Sequence, residues 1–257
     1  MWKFPLVAAA AITLAGCNGA NAQIEAVVTS PAVAALEAQG LTIHGEMDVP
    51  GGLRAYGASA GNDPVAIYVL PDPNYAIVGT LVDANGFTAA EAELRKVVTA
   101  PIEQSTWDAL ENAEWIAEGS VDADRIVYTF TDANCPFCHQ LWLASRPWVE
   151  SGSVQLRHVM VGIIRPDSAG KAAAILESTD PAAALAYNET NRDSGGIKAV
   201  ADISDAALAT LNANMTLMSD LGFGGTPAVV GRRADGSLII SHGMPSSAVM
   251  AELFGPL

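Results

Sequence analysis

Cysteine is scarce. The 257-residue chain has three, too few for a disulfide-stapled scaffold, so the fold must rest on a buried apolar core. Positive charge is scarce as well: 13 Lys and Arg stand against 28 Asp and Glu, a formal net charge of −15. A surface of that sign repels phosphate backbones and anionic headgroups, which argues against nucleic acid as a partner. Charged residues make up only 16% of the chain and apolar ones 50%, a balance that argues against intrinsic disorder, because enough surface can be buried to offset chain entropy. No apolar run reaches the ~20 residues that cross a bilayer. No internal repeat or low-complexity tract is present, and the length suits one or two domains.

The longest apolar run, Leu6 to Gly16, follows Lys3 and precedes the small residues Ala20-Asn21-Ala22. It reads as a secretory leader over residues 1–22. Leu14-Ala15-Gly16-Cys17 reads equally as a lipobox, which would end the leader at residue 16 and make Cys17 a lipid-attachment site. The two cleavage readings compete. Cleavage after Ala22 leaves an exported chain with two cysteines.

Between residues 23 and 87 the pattern is of short strands. Val65 to Leu70 and Tyr75 to Val82 are β-rich runs separated by Pro71-Asp72-Pro73-Asn74, and Asp83-Ala84-Asn85-Gly86 closes the second. So small an antiparallel sheet buries little core alone, which makes a second copy a natural cover for its apolar face. Thr88 with Glu91 predicts a capping box opening a connecting helix to Val98. Pro101 is expected to interrupt it, with a second helical stretch from about Glu103 to Trp115, and the linker is placed at 88–112. Seven carboxylates and no Lys or Arg lie between Pro101 and Asp124; they read as a solvated helix face, or as an acidic rim around a cleft.

From residue 113 on, Arg125 to Thr131 predicts a buried strand running through a turn into a helix near Cys135. Val154 to Val161 predicts the next strand, ended by Gly162. Helices are predicted from Ser168 to Ser178, from Pro181 with Asp180 as its cap, and from Ser204 to Leu221 with Gly222 as the stop. Ala228 to Arg232 and Leu238 to His242 form a hairpin, and Ser246 caps a last helix. This order is what a thioredoxin-like domain at 113–257, with a helical insert at about 166–222, requires.

The two remaining cysteines form Cys135-Pro136-Phe137-Cys138 at the strand-to-helix junction. A thiol at a helix N-terminus faces free N–H groups and the positive end of the dipole, which stabilise its thiolate. Cys135 is therefore the expected nucleophile, and Cys138, one turn on and shielded, the expected resolving thiol. Pro136 pre-sets the first turn. A structural disulfide closing a two-residue loop removes little chain entropy. Zinc needs two further ligands at matching spacing, and His44, His158 and His242 read instead as surface or core residues. Haem is the serious rival, because Cys135 to His139 spells C-x-x-C-H, but the motif follows a buried strand. Downstream, Thr226-Pro227 precedes a β-run. It reads as an ordinary strand-start proline or, in a thioredoxin-like domain, as a cis-proline beside the cysteines that offers Thr226 backbone groups to substrate. The tryptophans 107, 115, 142 and 148 read as packing residues.

These residues resemble the DsbC/DsbG family of periplasmic thiol:disulfide interchange proteins, the DsbG type most closely. The resemblance lies in Pro50 to Tyr56, Phe130 to Trp142, Arg146 to Pro166, Ala172 to Ser178, Asp220 to Ala228 and Gly243-Met244-Pro245. Phe137 stands where the DsbG type has Tyr, and His139 is closer to the DsbC type. The resemblance implies an α+β chain with a cystatin-like antiparallel-sheet dimerisation domain at 23–87, a linker helix and the thioredoxin-like catalytic domain. It implies a periplasmic homodimer acting on misfolded or oxidised exported proteins as an isomerase or as a reductase of cysteine sulfenic acids. A DsbD-type membrane reductase would supply electrons, and no cofactor beyond the Cys135–Cys138 disulfide is implied. The alternatives are a DsbA-like oxidase and a holdase chaperone. The acid that thioredoxin uses as proton acceptor would fall at Thr129, so that carboxylate is absent.

Overall fold

The computed structural model describes residues 30–256; the leader and Cys17 lie outside them. Two sheets organise the chain. The first is antiparallel, in the order β1 (Thr42–Met47), β2 (Arg54–Ala60), β3 (Asp63–Val69), β4 (Ala76–Val78). The second has five strands in the order β5 (Ile116–Glu118), β7 (Val154–Val161), β6 (Arg125–Asp132), β8 (Ala228–Arg232), β9 (Leu238–His242), with only β6 and β7 parallel.

The first sheet is better covered than its sequence suggests. A helix, α1 (Pro31–Ala38), lies ahead of it, opened by the Ser30 hydroxyl accepting from the Val33 N–H at 3.2 Å. Val33 of this helix clusters with Tyr56, Ala58, Ile67 and Val69 from one sheet face. Ala55, Ala66 and Tyr68 on the other face meet Leu94 and Val97. The expectation of an uncovered face is thus corrected. The exposed apolar surface lies instead along edge strand β4 and the loop beyond, at Tyr75, Ile77, Val78, Val82 and Phe87.

The connecting helix also departs from expectation. It begins at Glu91, with Ala90 as a cap that makes no side-chain bond, and the Thr88 hydroxyl donates to the Glu91 carboxylate at 2.5 Å rather than forming a capping box. It is not interrupted at Pro101. Between α2 (Glu91–Leu94) and α3 (Ala100–Glu111) the chain makes a π-turn over Arg95–Thr99, in which the Ala100 N–H reaches back to the Arg95 carbonyl. This wide turn comes just before Pro101, which lies in the first turn of α3 and offers no N–H to the ladder. Val98 on the turn is fully buried, and a Cβ at Gly57 of β2 would lie 2.6 Å from it, so the helix docks where the strand has no side chain. The helix ends at Glu111, short of Trp115.

Helices cover both faces of the second sheet. Leu141 and Val149 of α4 (Pro136–Ser151) pack with Val127, Leu156, Val229 and Leu253, the last from α8 (Ser247–Phe254). On the opposite face Trp107 and Leu110 of α3 join Tyr128, Phe130, Val159 and Met218, the last from α7 (Asp205–Asp220). Each such fully buried side chain stabilises the fold by about 1.5–3 kcal/mol. Between β7 and β8 lie α5 (Ser168–Leu176), α6 (Pro181–Thr190) and α7, packed through Met160, Ile175, Leu185 and Leu211. Asp180 and Ser204 cap α6 and α7, and Ser246 caps α8. The result is an α+β fold with a thioredoxin-like sheet.

Candidate active site

β6 runs through the centre of the second sheet and ends at Asp132, which has no exposed surface. One Asp132 carboxylate oxygen accepts from the Asn134 N–H at 2.8 Å and the Ser168 hydroxyl at 2.9 Å, the other from the N–H groups of Ile163 and Ile164 at 2.7 and 2.9 Å. One buried carboxylate thus ties the turn after β6 to the loop after β7. The turn delivers Cys135 to the N-cap of α4, with Pro136 in the first turn.

Both cysteines are free and buried. The Cys135 Sγ accepts from the Cys138 N–H at 3.4 Å and donates to the Thr226 carbonyl at 3.2 Å. The Cys138 thiol donates to the Phe130 carbonyl at 4.0 Å. The hydrogen bond from the Cys138 thiol does most to lower Cys135's pKa to about 6; burial opposes it, and the Thr226 side chain, not its carbonyl, adds to the lowering together with the N–H groups of Cys138 and Phe137. Cys138 moves the other way, first through burial and then through its neighbour's bond and charge. Two residues, Pro136 and Phe137, separate a thiol poised as an anion from one held as a thiol.

Thr226-Pro227 is cis, and its Thr226 carbonyl is the group that meets Cys135. The Thr226 hydroxyl is buried without a partner at the usual hydrogen-bond distance. Phe137 is about half exposed beside the thiols. Cys135, Pro136, Phe137, Cys138, Thr226 and Pro227 therefore meet at one corner, where α4 begins and β8 is entered. His139 Nδ1 lies 2.9 Å from a carboxylate oxygen of buried Glu189 in α6, and its ring stacks over Trp142. At Thr129, the residue is buried on β6.

No protein-family model matches the chain. The Thiol:disulfide interchange protein DsbG of Pseudomonas aeruginosa is 41% identical over 221 residues, 86% of each chain. The DsbG of Escherichia coli strain K12 is 36% identical over 223 residues, 87% of this chain and 90% of that one. The chain belongs to the DsbG family. A solved structure of Helicobacter pylori DsbG aligns with 77% of this chain and 98% of its own, with a TM-score of 0.42 and 18% identity. Proteus mirabilis ScsC in a transitional conformation aligns with 60% of this chain and 79% of its own, with a TM-score of 0.47 and 25% identity.

In this DsbG-family chain a polar cluster beneath α4 went unread in the sequence. Glu118, one of the seven acids taken as a solvated face or an acidic rim, is buried. Its carboxylate accepts two hydrogen bonds from Arg146, at 3.1 and 3.0 Å, and one from Trp142 Nε1 at 3.0 Å; His158 Nε2 lies 2.9 Å away. His158 Nδ1 in turn meets the Thr131 hydroxyl at 3.0 Å. Burial pushes the Glu118 carboxyl up, and the hydrogen bonds and charges of His158 and Arg146 outweigh it, bringing the pKa to about 2. Glu103 departs from the solvated face too, pairing with Arg95 and accepting from the Leu238 N–H. Nothing in the local pattern marks Glu118, because its partners lie 24 to 40 residues away, and the Leu238 N–H that Glu103 accepts from is 135 residues away.

Proposed function

We propose that Cys135 is the attacking thiolate and Cys138 the resolving thiol of a periplasmic thiol:disulfide interchange enzyme. The opposite displacement of the two thiols carries this reading. With a pKa near 6, Cys135 is roughly nine-tenths ionised at pH 7, against a few per cent for an unperturbed thiol. Its thiolate attacks one sulfur of a client disulfide, forming a mixed disulfide and releasing a client thiolate, which takes up a proton. That released thiol can attack elsewhere on the client and return Cys135 reduced, which is isomerisation. Alternatively Cys138 loses its proton and attacks the Cys135 sulfur, freeing the second client thiol and leaving the Cys135–Cys138 disulfide.

A client sulfenic acid is handled by the same groups. The thiolate attacks its sulfur and displaces hydroxide, which leaves as water after protonation. Cys138 then resolves the mixed disulfide, so one dithiol and one sulfenic acid give one disulfide, one thiol and water. Two electrons from a DsbD-type membrane reductase restore the dithiol, and no bound cofactor enters. Thr226 and Pro227 line the path of an extended client segment, with the Thr226 carbonyl beside the reacting sulfur.

The edge strand β4 with its exposed Ile77, and exposed Tyr75 and Phe87 on either side of it in the chain, support a homodimer through the first sheet. Such a dimer would set two thiol sites around one client cleft. The deciding experiment traps clients: Cys138→Ala is expected to accumulate mixed disulfides and Cys135→Ala none. Equal trapping by both variants would overturn the assignment.

A further inference from the structure

In a chain with more than two carboxylates per basic residue, a few cations gather without matching acids beside the redox motif. A cavity of about 170 Å³ is lined by Asn134, Arg165, Lys171, Arg192 and Gly195, with Asp193 as its only carboxylate. It adjoins a larger groove that shares Arg165, Lys171 and Gly195 and adds Lys198 and Asp167. Lys171 is buried, and its ammonium donates to the Asn134 side-chain oxygen at 3.0 Å and the Gly195 carbonyl at 2.7 Å; Asp167, at 4.0 Å, is its nearest ion-pair partner. Among the described residues Arg165, Arg192 and Lys198 have no carboxylate within ion-pair distance. Arg192 spends one guanidinium nitrogen on the Asn134 carbonyl at 2.7 Å, and its other terminal nitrogen is buried with no partner.

A buried charged donor left without an acceptor is costly, and structures normally fill such a place. We propose that this cavity is an oxyanion-binding site, taking a carboxylate or a phosphate between Arg192, Lys171 and Arg165. The planar guanidinium suits both anions, and the cavity is too small for a nucleotide. Gly196 at its wall has φ +66, and a Cβ there would lie 2.4 Å from the Asn188 side-chain oxygen, so the loop closes against α6 only as glycine. The anion could come from an acidic client segment lying in the groove or from a free small anion. Because Arg192 holds the carbonyl of the residue before Cys135, occupancy would also stiffen the turn that carries the thiol.

Binding is independent of thiol exchange, and the test keeps the two apart. Reduced full-length protein is titrated with sodium phosphate and with sodium acetate against sodium chloride of equal ionic strength, following the thermal midpoint and calorimetric heat. Saturable stabilisation by phosphate and acetate beyond chloride is expected, weakened at least about tenfold in Arg192→Gln. Arg125→Gln, at a remote cavity, and Cys135→Ser should bind as the parent does. Exposed Arg165→Gln should weaken binding several-fold and serves if Arg192→Gln fails to fold. Chloride acting as well as phosphate, or undiminished binding by both arginine variants, would overturn the site. An oligoglutamate peptide that displaces phosphate would assign the anion to client carboxylates; phosphate held against that peptide would assign a free anion, and both results uphold the site.

Discussion

On the proposed reading, the two sheets of this molecule divide its tasks. The five-stranded sheet carries helices on both faces, ends its central strand in a buried carboxylate, and gathers the thiols, Thr226 and Pro227 at one corner. The four-stranded sheet has no cysteine among its described residues, and its largest exposed apolar side chains lie along one edge. Chemistry needs groups held to within a fraction of an ångström, which a closed core provides. Assembly needs surface left unfilled, which an open edge provides. Perturbing one sheet should therefore leave the task of the other standing.

The largest effect is expected at Cys135. Cys135→Ala should remove all measurable thiol:disulfide exchange while light scattering gives the same mass as the parent. A change in assembly on that substitution would break the division between the sheets.

Next comes the ground beneath α4. Glu118→Gln leaves Arg146 and His158 facing a neutral group in a buried setting, and removing one partner of such a set costs about 3–5 kcal/mol. Urea unfolding should report a loss of that order. The Glu118 carboxyl is depressed to about 2 in the folded chain, below the ~4.3 of a free glutamate. Its stabilisation is thus complete above about pH 4.3 and is lost as pH falls toward 2, so the parent and Glu118→Gln should converge in stability in strong acid. Parallel curves down to pH 2 would show that the cluster's charge is immaterial.

How far these regions could be read in advance follows from their residues. Strands β7, β8 and β9 match the expected spans at both ends, because runs such as Val154 to Val161 are β-rich and are punctuated by glycine or a turn. Asp180 and Ser246 were legible as caps for the same local reason, whereas Ser204, read as the first residue of its helix, is its cap. β2 was not, since Arg-Ala-Tyr-Gly-Ala-Ser-Ala has little β-propensity and becomes a strand only through pairing on both sides. The thiol pair was readable because its chemistry is spelled within four residues. Glu118 and the cations around Arg192 were not, because their partners are brought together from separate elements by the fold.

A smaller effect sharpens the contrast between the thiols. Cys135 has a pKa near 6 and Cys138 lies far above it. Alkylation of the reduced protein should therefore fall on Cys135 alone near neutral pH. Its rate should be nearly level above pH 7 and drop about tenfold for each unit below 6, as the thiolate fraction falls. A rate still climbing between pH 7 and 9 would place the reactive thiol in the ordinary range and remove the basis for its role.

The smallest effect on the thiol chemistry itself is expected from removing the other sheet altogether. Trp107 and Leu110 of α3 are part of the five-stranded sheet's core, with the Trp107 ring edge-on to Tyr128 at 5.2 Å. The cut must therefore fall before residue 100, where α3 begins. A chain starting there keeps every hydrogen bond described around Cys135, since none of those partners lies in the first sheet. Its reduction of a small disulfide should stay within about twofold of the parent, corresponding to the ±0.5 kcal/mol of changes remote from a site. Light scattering should show a monomer where the proposed dimer forms from the full chain, and refolding of a scrambled-disulfide client should be lost if that client needs the two thiol sites of the proposed shared cleft. A truncated chain that refolds such a client as well as the parent would place isomerase action in the five-stranded sheet alone, and the four-stranded sheet would need another task.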